Sequence, residues 1–167
     1  VPGGREVKRL LRDTCYGCIP TRYLMTKIRD GRAVALTFDD GPHPKYTEQI
    51  LKVLREEGVK ASFFLVGNEV KKYPDLARAI AEGGHAIGNH TFSHPRLNGM
   101  KFHALSEEID ETTALIQRTT GVRTRLFRPP YKKLTVPLLR YAFHRRLTIV
   151  LWSIDSRDSF EGASPLK

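Results

Sequence analysis

The sequence predicts an α/β fold in which parallel strands alternate with helices. Three observations carry that expectation. From residue 33 onward, short apolar runs rich in β-branched and aromatic residues recur between polar turns. Stretches with helical spacing of their apolar residues fill the intervals. Gly, Asp or Pro stands at most of the boundaries, where these residues end strands and helices. Alternation of this kind builds a parallel sheet with crossover helices, either open or closed into a barrel.

Five runs read as buried strands: residues 33–38, 61–66, 85–88, 125–127 and 147–154. Between them, residues 46–57 place Ile50, Leu51 and Leu54 on one helical face, and residues 74–82 do so with Leu76, Ala77, Ile80 and Ala81. Residues 102–119 carry Leu105, Ile109 and Ile116 at the same spacing, and residues 136–145 form the fourth helix. Gly58, Gly83 and Gly121 sit where C-terminal caps are expected. Residues 1–32 fit the pattern poorly. They are read as a basic N-terminal extension ahead of a single α/β domain over residues 33–167. A complete barrel of this class needs roughly 200 residues or more, so the domain is expected to lack its C-terminal part in these 167 residues.

Apolar runs such as residues 63–66 and 148–152 are far too short to cross a bilayer, so no membrane span is expected. The opening Val1-Pro2-Gly3-Gly4 has no apolar leader behind it, and a processed or excised chain is expected. With 28 Lys and Arg against 18 Asp and Glu, the net charge is +10 and favours anionic partners. No nucleic-acid motif accompanies that charge, so no nucleic acid is expected. Cys15 and Cys18 form a single CxxC without a second one, read as a local disulfide or an idle thiol pair.

Reactive residue types gather at one kind of place. Asp39 and Asp40 follow the first predicted strand, Asn89 and His90 the third, Arg128 the fourth, and Asp155 and Asp158 the fifth. In a parallel α/β sheet the carboxyl ends of the strands lie on one side, so these residues converge although distant in sequence. His90 and His94 are four apart, and one turn of helix brings both imidazoles to the same side. Two imidazoles with a carboxylate from another strand end make an open, catalytic type of metal site. Of Asp39 and Asp40, one can ligate while the other serves as a base. Arg128 precedes Pro129-Pro130-Tyr131, a rigid segment that aims what it carries, and suits a carboxylate or another anion.

Four stretches, Thr37-Phe38-Asp39-Asp40-Gly41-Pro42, His90-Thr91-Phe92-Ser93-His94, Arg128-Pro129-Pro130-Tyr131 and Asp155-Ser156-Arg157-Asp158, together resemble the first four motifs of the polysaccharide deacetylases of carbohydrate esterase family 4. The resemblance covers roughly residues 33–160. It implies a distorted, incomplete (β/α) barrel with parallel strands and removal of N-acetyl or O-acetyl groups from a polysaccharide such as peptidoglycan, chitin or xylan. By position, it makes Asp40, His90 and His94 the ligands of one divalent ion, zinc first and cobalt or nickel as alternatives. Asp39 becomes the general base toward water, Arg128 its positioning partner, and Asp158 the group that holds Arg128. The backbone N–H of Tyr131 helps to stabilise the oxyanion, and Pro129, Pro130 and Tyr131 border the substrate. An acetylated glycan is the implied partner, a monomer the expected state, and the cell envelope or the exterior the implied location.

The match has departures. A fifth motif, Leu-x-His, supplies the family's general acid and is expected past Lys167. His103 and His144 lie in or near predicted helices and are read as surface or packing histidines. General acid catalysis contributes about 10²–10⁴-fold, so the chain alone is expected to be slow or inactive. Ser159 stands where the family commonly has Trp, and Lys132-Lys133 where Gly often follows. The two lysines suggest an anionic glycan. A catalytically silent glycan-binding domain that keeps the fold and the metal is the alternative.

Overall fold

In the computed structural model, which describes residues 19–28 and 31–156, six parallel strands form one sheet. They are β1 (Leu24–Met25), β2 (Thr37–Gly41), β3 (Ser62–Leu65), β4 (Ala86–Asn89), β5 (Leu126–Phe127) and β6 (Thr148–Val150). Between them run α1 (Tyr46–Glu56), α2 (Gly67–Lys72), α3 (Pro74–Glu82), α4 (Phe102–Thr120) and α5 (Val136–Arg145), with a 3₁₀ turn over Pro130–Lys132. The spatial order is β1-β6-β5-β4-β3-β2. Each strand from β2 to β5 thus pairs with its successor, and β1 joins beyond β6. Among the described residues β1 and β2 are not paired, so the expected incomplete barrel is an open six-stranded sheet.

All five predicted strands and all four predicted helices are present, with shifted ends. The first strand begins at Thr37 rather than residue 33 and runs through Asp39 and Asp40. Val34 and Leu36 ahead of it are exposed, so their apolar character marks a lead-in and not a buried strand. β1 is an addition from the segment read as an extension: Leu24 is buried and pairs with Ile149. Two residues are too few for a periodic signal. α2 was equally invisible, with six residues and buried side-chain contact chiefly through Val70. Gly58 and Gly121 take the left-handed conformation after α1 and α4 as expected. After α3 it is Gly84 that does so, while Gly83 stays right-handed.

The helices cover one face of the sheet with two apolar clusters. Phe63, Leu65 and Ile87 pack with Val70, Ala77 and Ile80, while Phe127 and Ile149 pack with Leu138, Tyr141 and Ala142. α4 bridges them, giving Leu105 and Ile109 to one and Ile116 to the other. The strand alternation sends Phe64 to the opposite face, where it is fully buried. Gly88 is its register partner on β4, and a Cβ there would meet the Phe64 ring at 2.4 Å. The ring therefore lies flat across a gap that only glycine leaves, and it forms the floor beneath Arg128.

Candidate active site

Three strand ends build the site. Pairing of β2 with β3 slips between Phe38 and Gly41, and within this bulge Asp40 adopts a left-handed backbone with φ of 64°. A bulge re-aims successive side chains, so Asp39 and Asp40 diverge from one strand end. Asp39 Oδ1 accepts a 2.6 Å hydrogen bond from Nη1 of Arg128. Asp40 Oδ1 lies 3.4 Å from Nε2 of His90 and 3.3 Å from Nε2 of His94.

The histidines reach this point by a loop, which corrects the expectation of a helical turn. Residues 90–94 are not helical, and Thr91 and His94 both have positive φ. Several backbone polar groups of the loop are bonded from outside it. Thr91 N–H donates to the Asn89 side-chain oxygen at 2.8 Å, and the Asn89 amide in turn donates to Ile109 O and Thr113 Oγ1. The N–H groups of Phe92 and Ser93 and the Ser93 hydroxyl all donate to the Glu108 carboxylate. The first amides of α2, at Gly67 and Asn68, donate to the carbonyls of Thr91 and Phe92. With these partners supplied, the chain has no need of helical bonds to bring the two rings together, 4.9 Å apart.

Protonation follows from the same contacts. The hydrogen bond from His90 holds the Asp40 carboxyl below its ordinary value against the opposing effect of burial, with both imidazoles adding attraction. Burial pushes His94 down, favouring its neutral ring, with Asp40 partly opposing. His90 turns Nδ1 to the Arg128 carbonyl at 2.6 Å, so its neutral ring presents the Nε2 lone pair toward Asp40 and only its protonated ring donates to that carboxylate. The three ligand atoms lie within 4.8 Å of one another. An ionised carboxylate and two imidazoles whose outer nitrogens face inward fit a divalent cation of the zinc class. His90 is buried whereas the Asp40 side chain is 68% exposed, so the cluster opens to solvent on one side.

Arg128 is fixed on every side. It is 1% exposed, its guanidinium carbon lies 3.9 Å above the Phe64 ring, and it donates to Val150 O, Thr37 Oγ1 and Asp39. Among the described residues its Nη2 is buried without an acceptor. Asp158, expected to hold it, lies outside the described residues, as do Cys15, Cys18 and Ser159. Asp155 accepts from the Trp152 indole instead. Pro129 and Pro130 are buried, and Tyr131 is 52% exposed with its ring 4.9 Å from His94. Lys132 folds onto Trp152, donating to its carbonyl at 2.8 Å, so only Lys133 of the lysine pair extends freely into solvent. His103 and His144 are both exposed on helices, the former beside Glu107.

Glu108, Phe64 and Gly67 were not singled out from the sequence. Glu108 had a readable signal: it lies on the apolar stripe of Leu105, Ile109 and Thr112, where a carboxylate must find a partner.

Residues 26–148 match the polysaccharide deacetylase family, well over half of the chain. The chain is 41% identical over 125 residues to a peptidoglycan-N-acetylglucosamine deacetylase of Bacillus cereus, covering 75% of this chain and 46% of that protein. It is 42% identical over 130 residues to a chitooligosaccharide deacetylase of Rhizobium leguminosarum bv. trifolii, covering 77% and 60%. A solved peptidoglycan N-acetylglucosamine deacetylase superposes with a TM-score of 0.77 at 37% identity, covering 81% of this chain and 64% of that one. The chain thus spans about half of the length of the curated relatives it matches. Matching sequence and a matching fold lead to one conclusion: the chain belongs to the polysaccharide deacetylases of carbohydrate esterase family 4.

Proposed function

We propose that the chain carries the catalytic face of a metal-dependent deacetylase that hydrolyses acetamido groups, or acetyl esters, on a glycan of the peptidoglycan or chitin type. The observation that supports it is the meeting of Asp40, His90 and His94 beside an Asp39 already gripped by a buried arginine. These three residues would hold the cation, zinc by donor chemistry with cobalt or nickel as alternatives. When bound, such an ion supplies Lewis acidity toward the acetyl carbonyl and acidifies water to a pKa of roughly 7.

The remaining work belongs to the protein. Arg128 occupies Asp39 Oδ1, leaving the other carboxylate oxygen to take a proton from the attacking water. Phe64 and Thr37 keep Arg128 from following Asp39 out of position. Asp158 is proposed as the acceptor for the unpartnered Nη2, which would complete the clamp. The Tyr131 N–H, presented by the turn that Pro129 and Pro130 stiffen, is proposed to donate to the oxyanion; a donor in that role is worth about 3–4 kcal/mol. The same turn is proposed as the wall against the sugar. By the family resemblance, proton delivery to the leaving amine is assigned to the histidine of a Leu-x-His motif, which neither His103 nor His144, both exposed on helices, matches.

We assign the catalytic unit to residues 33–167, with residues 1–32 a basic extension that lends β1 to the sheet. A monomer acting at the cell envelope or outside the cell is proposed. No helix among the described residues is long and apolar enough to cross a membrane. A silent glycan-binding domain is the second reading, favoured by a structural neighbour that is a family pseudoenzyme, restored to activity by mutation, at 26% identity and a TM-score of 0.78. Asp39 and its arginine are both in place here, which favours the enzyme. The test is acetate release from N-acetylated chitooligosaccharide and peptidoglycan by the full-length protein with added zinc. Release that a chelator abolishes supports the proposal. Glycan binding with no release, at any metal supplied, selects the silent domain.

A further inference from the structure

Three arginines meet at the rim of the sheet opposite the site. Arg22 leads into β1, Arg125 immediately precedes β5, and Arg146 stands two residues before β6. The order β1-β6-β5 makes these strands neighbours, and all are parallel, so their leading ends lie together and away from Asp39, Asp40 and Arg128. With Tyr23 and Thr148 the three line an open-mouthed cavity of about 510 Å³.

Their backbones are fixed. Thr148 N–H donates to Arg125 O, and Thr148 Oγ1 donates to Arg22 O at 2.7 Å. Arg146 sits in the left-handed conformation that ends α5. The Arg22 guanidinium lies over the Tyr23 ring, 4.8 Å from its centroid. Among the described residues no carboxylate lines the cavity, and none of the three arginines is paired with Asp or Glu. Three other arginines do have acidic partners: Arg128 with Asp39, Arg145 with Asp110 and Arg78 with Asp75.

Three exposed cations around one cavity, without an acidic partner among the described residues, repel each other, and an anion relieves that repulsion. Guanidinium forks suit oxyanions, and several forks at once suit a tetrahedral group with three or four acceptor oxygens better than a carboxylate with two. We propose that this cavity binds a phosphate group, presented as a monoester or diester. A phosphate held there anchors the protein while leaving the opposite rim free, and the proposal does not depend on the deacetylase reading.

Titration calorimetry of the metal-free protein with inorganic phosphate, at low ionic strength, tests it. Saturable binding is expected, weakened roughly tenfold or more by the double substitution Arg22→Gln/Arg146→Gln and unchanged by Arg140→Gln, an exposed arginine outside the cavity. Should the double variant melt early, Arg125→Gln alone is read for the same loss. Phosphatidylglycerol vesicles distinguish the source: co-sedimentation lost in the variant assigns a lipid headgroup, and phosphate binding without co-sedimentation assigns a soluble or polymer-borne phosphate, both in support. No saturable binding, equal binding of acetate, or undiminished affinity in a folded variant overturns it.

Discussion

Asp39 and Asp40 are adjacent in sequence and alike in chemistry, yet their surroundings separate them. Asp40 faces two imidazole nitrogens, and Asp39 faces a buried guanidinium. The bulge creates that difference by turning one backbone step left-handed, a conformation that Asp tolerates better than most residues. The two acids therefore fail in different ways. Asp39→Asn should lower acetate release by about 10²–10⁴-fold, the usual contribution of a general base. It should leave the rise in melting temperature on adding zinc intact. His94→Ala should remove both activity and the zinc-dependent rise, as read by calorimetry with and without a chelator.

Among the elements, the loop from His90 to His94 depends most on its neighbours. α4 reaches it through Glu108, and α2 through the amides of Gly67 and Asn68. Gly67 also lets α2 approach closely, since a Cβ there would meet the Phe92 ring at 2.4 Å and the Phe92 backbone at 3.0 Å. Glu108 touches no ligand atom, so its effect is positional. Glu108→Ala strips three hydrogen bonds from the loop and should weaken zinc affinity about 10–100-fold, the size seen when outer-shell partners are removed. Glu108→Gln, which keeps an acceptor oxygen, should recover part of the loss in the same titration. A helix of six residues such as α2 leaves almost no periodic trace, which explains why this support went unread while α4, of nineteen residues, was legible nearly to its ends.

Across the molecule the sheet separates two rims, one bearing Asp39, Asp40, His90 and His94, the other Arg22, Arg125 and Arg146. His85 lies at the start of β4 on the basic side, buried, with Nδ1 accepting from Ala61 N–H at 3.3 Å. Burial, with the nearby Lys60 charge, pushes its protonation below the ordinary value of 6.5. The folded chain then binds fewer protons at this ring than the unfolded chain, so stability increases with pH through this window. The contribution is complete above 6.5 and is lost as pH falls below it, ending once His85 protonates in the folded state. The melting temperature should therefore drop as pH is lowered through the ordinary imidazole value of about 6.5. That slope should flatten in His85→Gln, and an equal slope in both proteins would remove His85 as its cause.

The amino-acid order alone carried the alternation of strands and helices, the family, and the set of residues at the strand ends. Each is a local property, readable because periodicity and motif spacing lie within a few residues of one another. It did not carry the added strand β1, the bulge that parts Asp39 from Asp40, the non-helical route of the histidine loop or the arginine cavity. Those arise from contacts between residues far apart in sequence, such as Arg128 with Asp39 across 89 positions or Thr148 with Arg22 across 126. No local pattern records which distant partner satisfies a buried donor or charge; only the packed chain does.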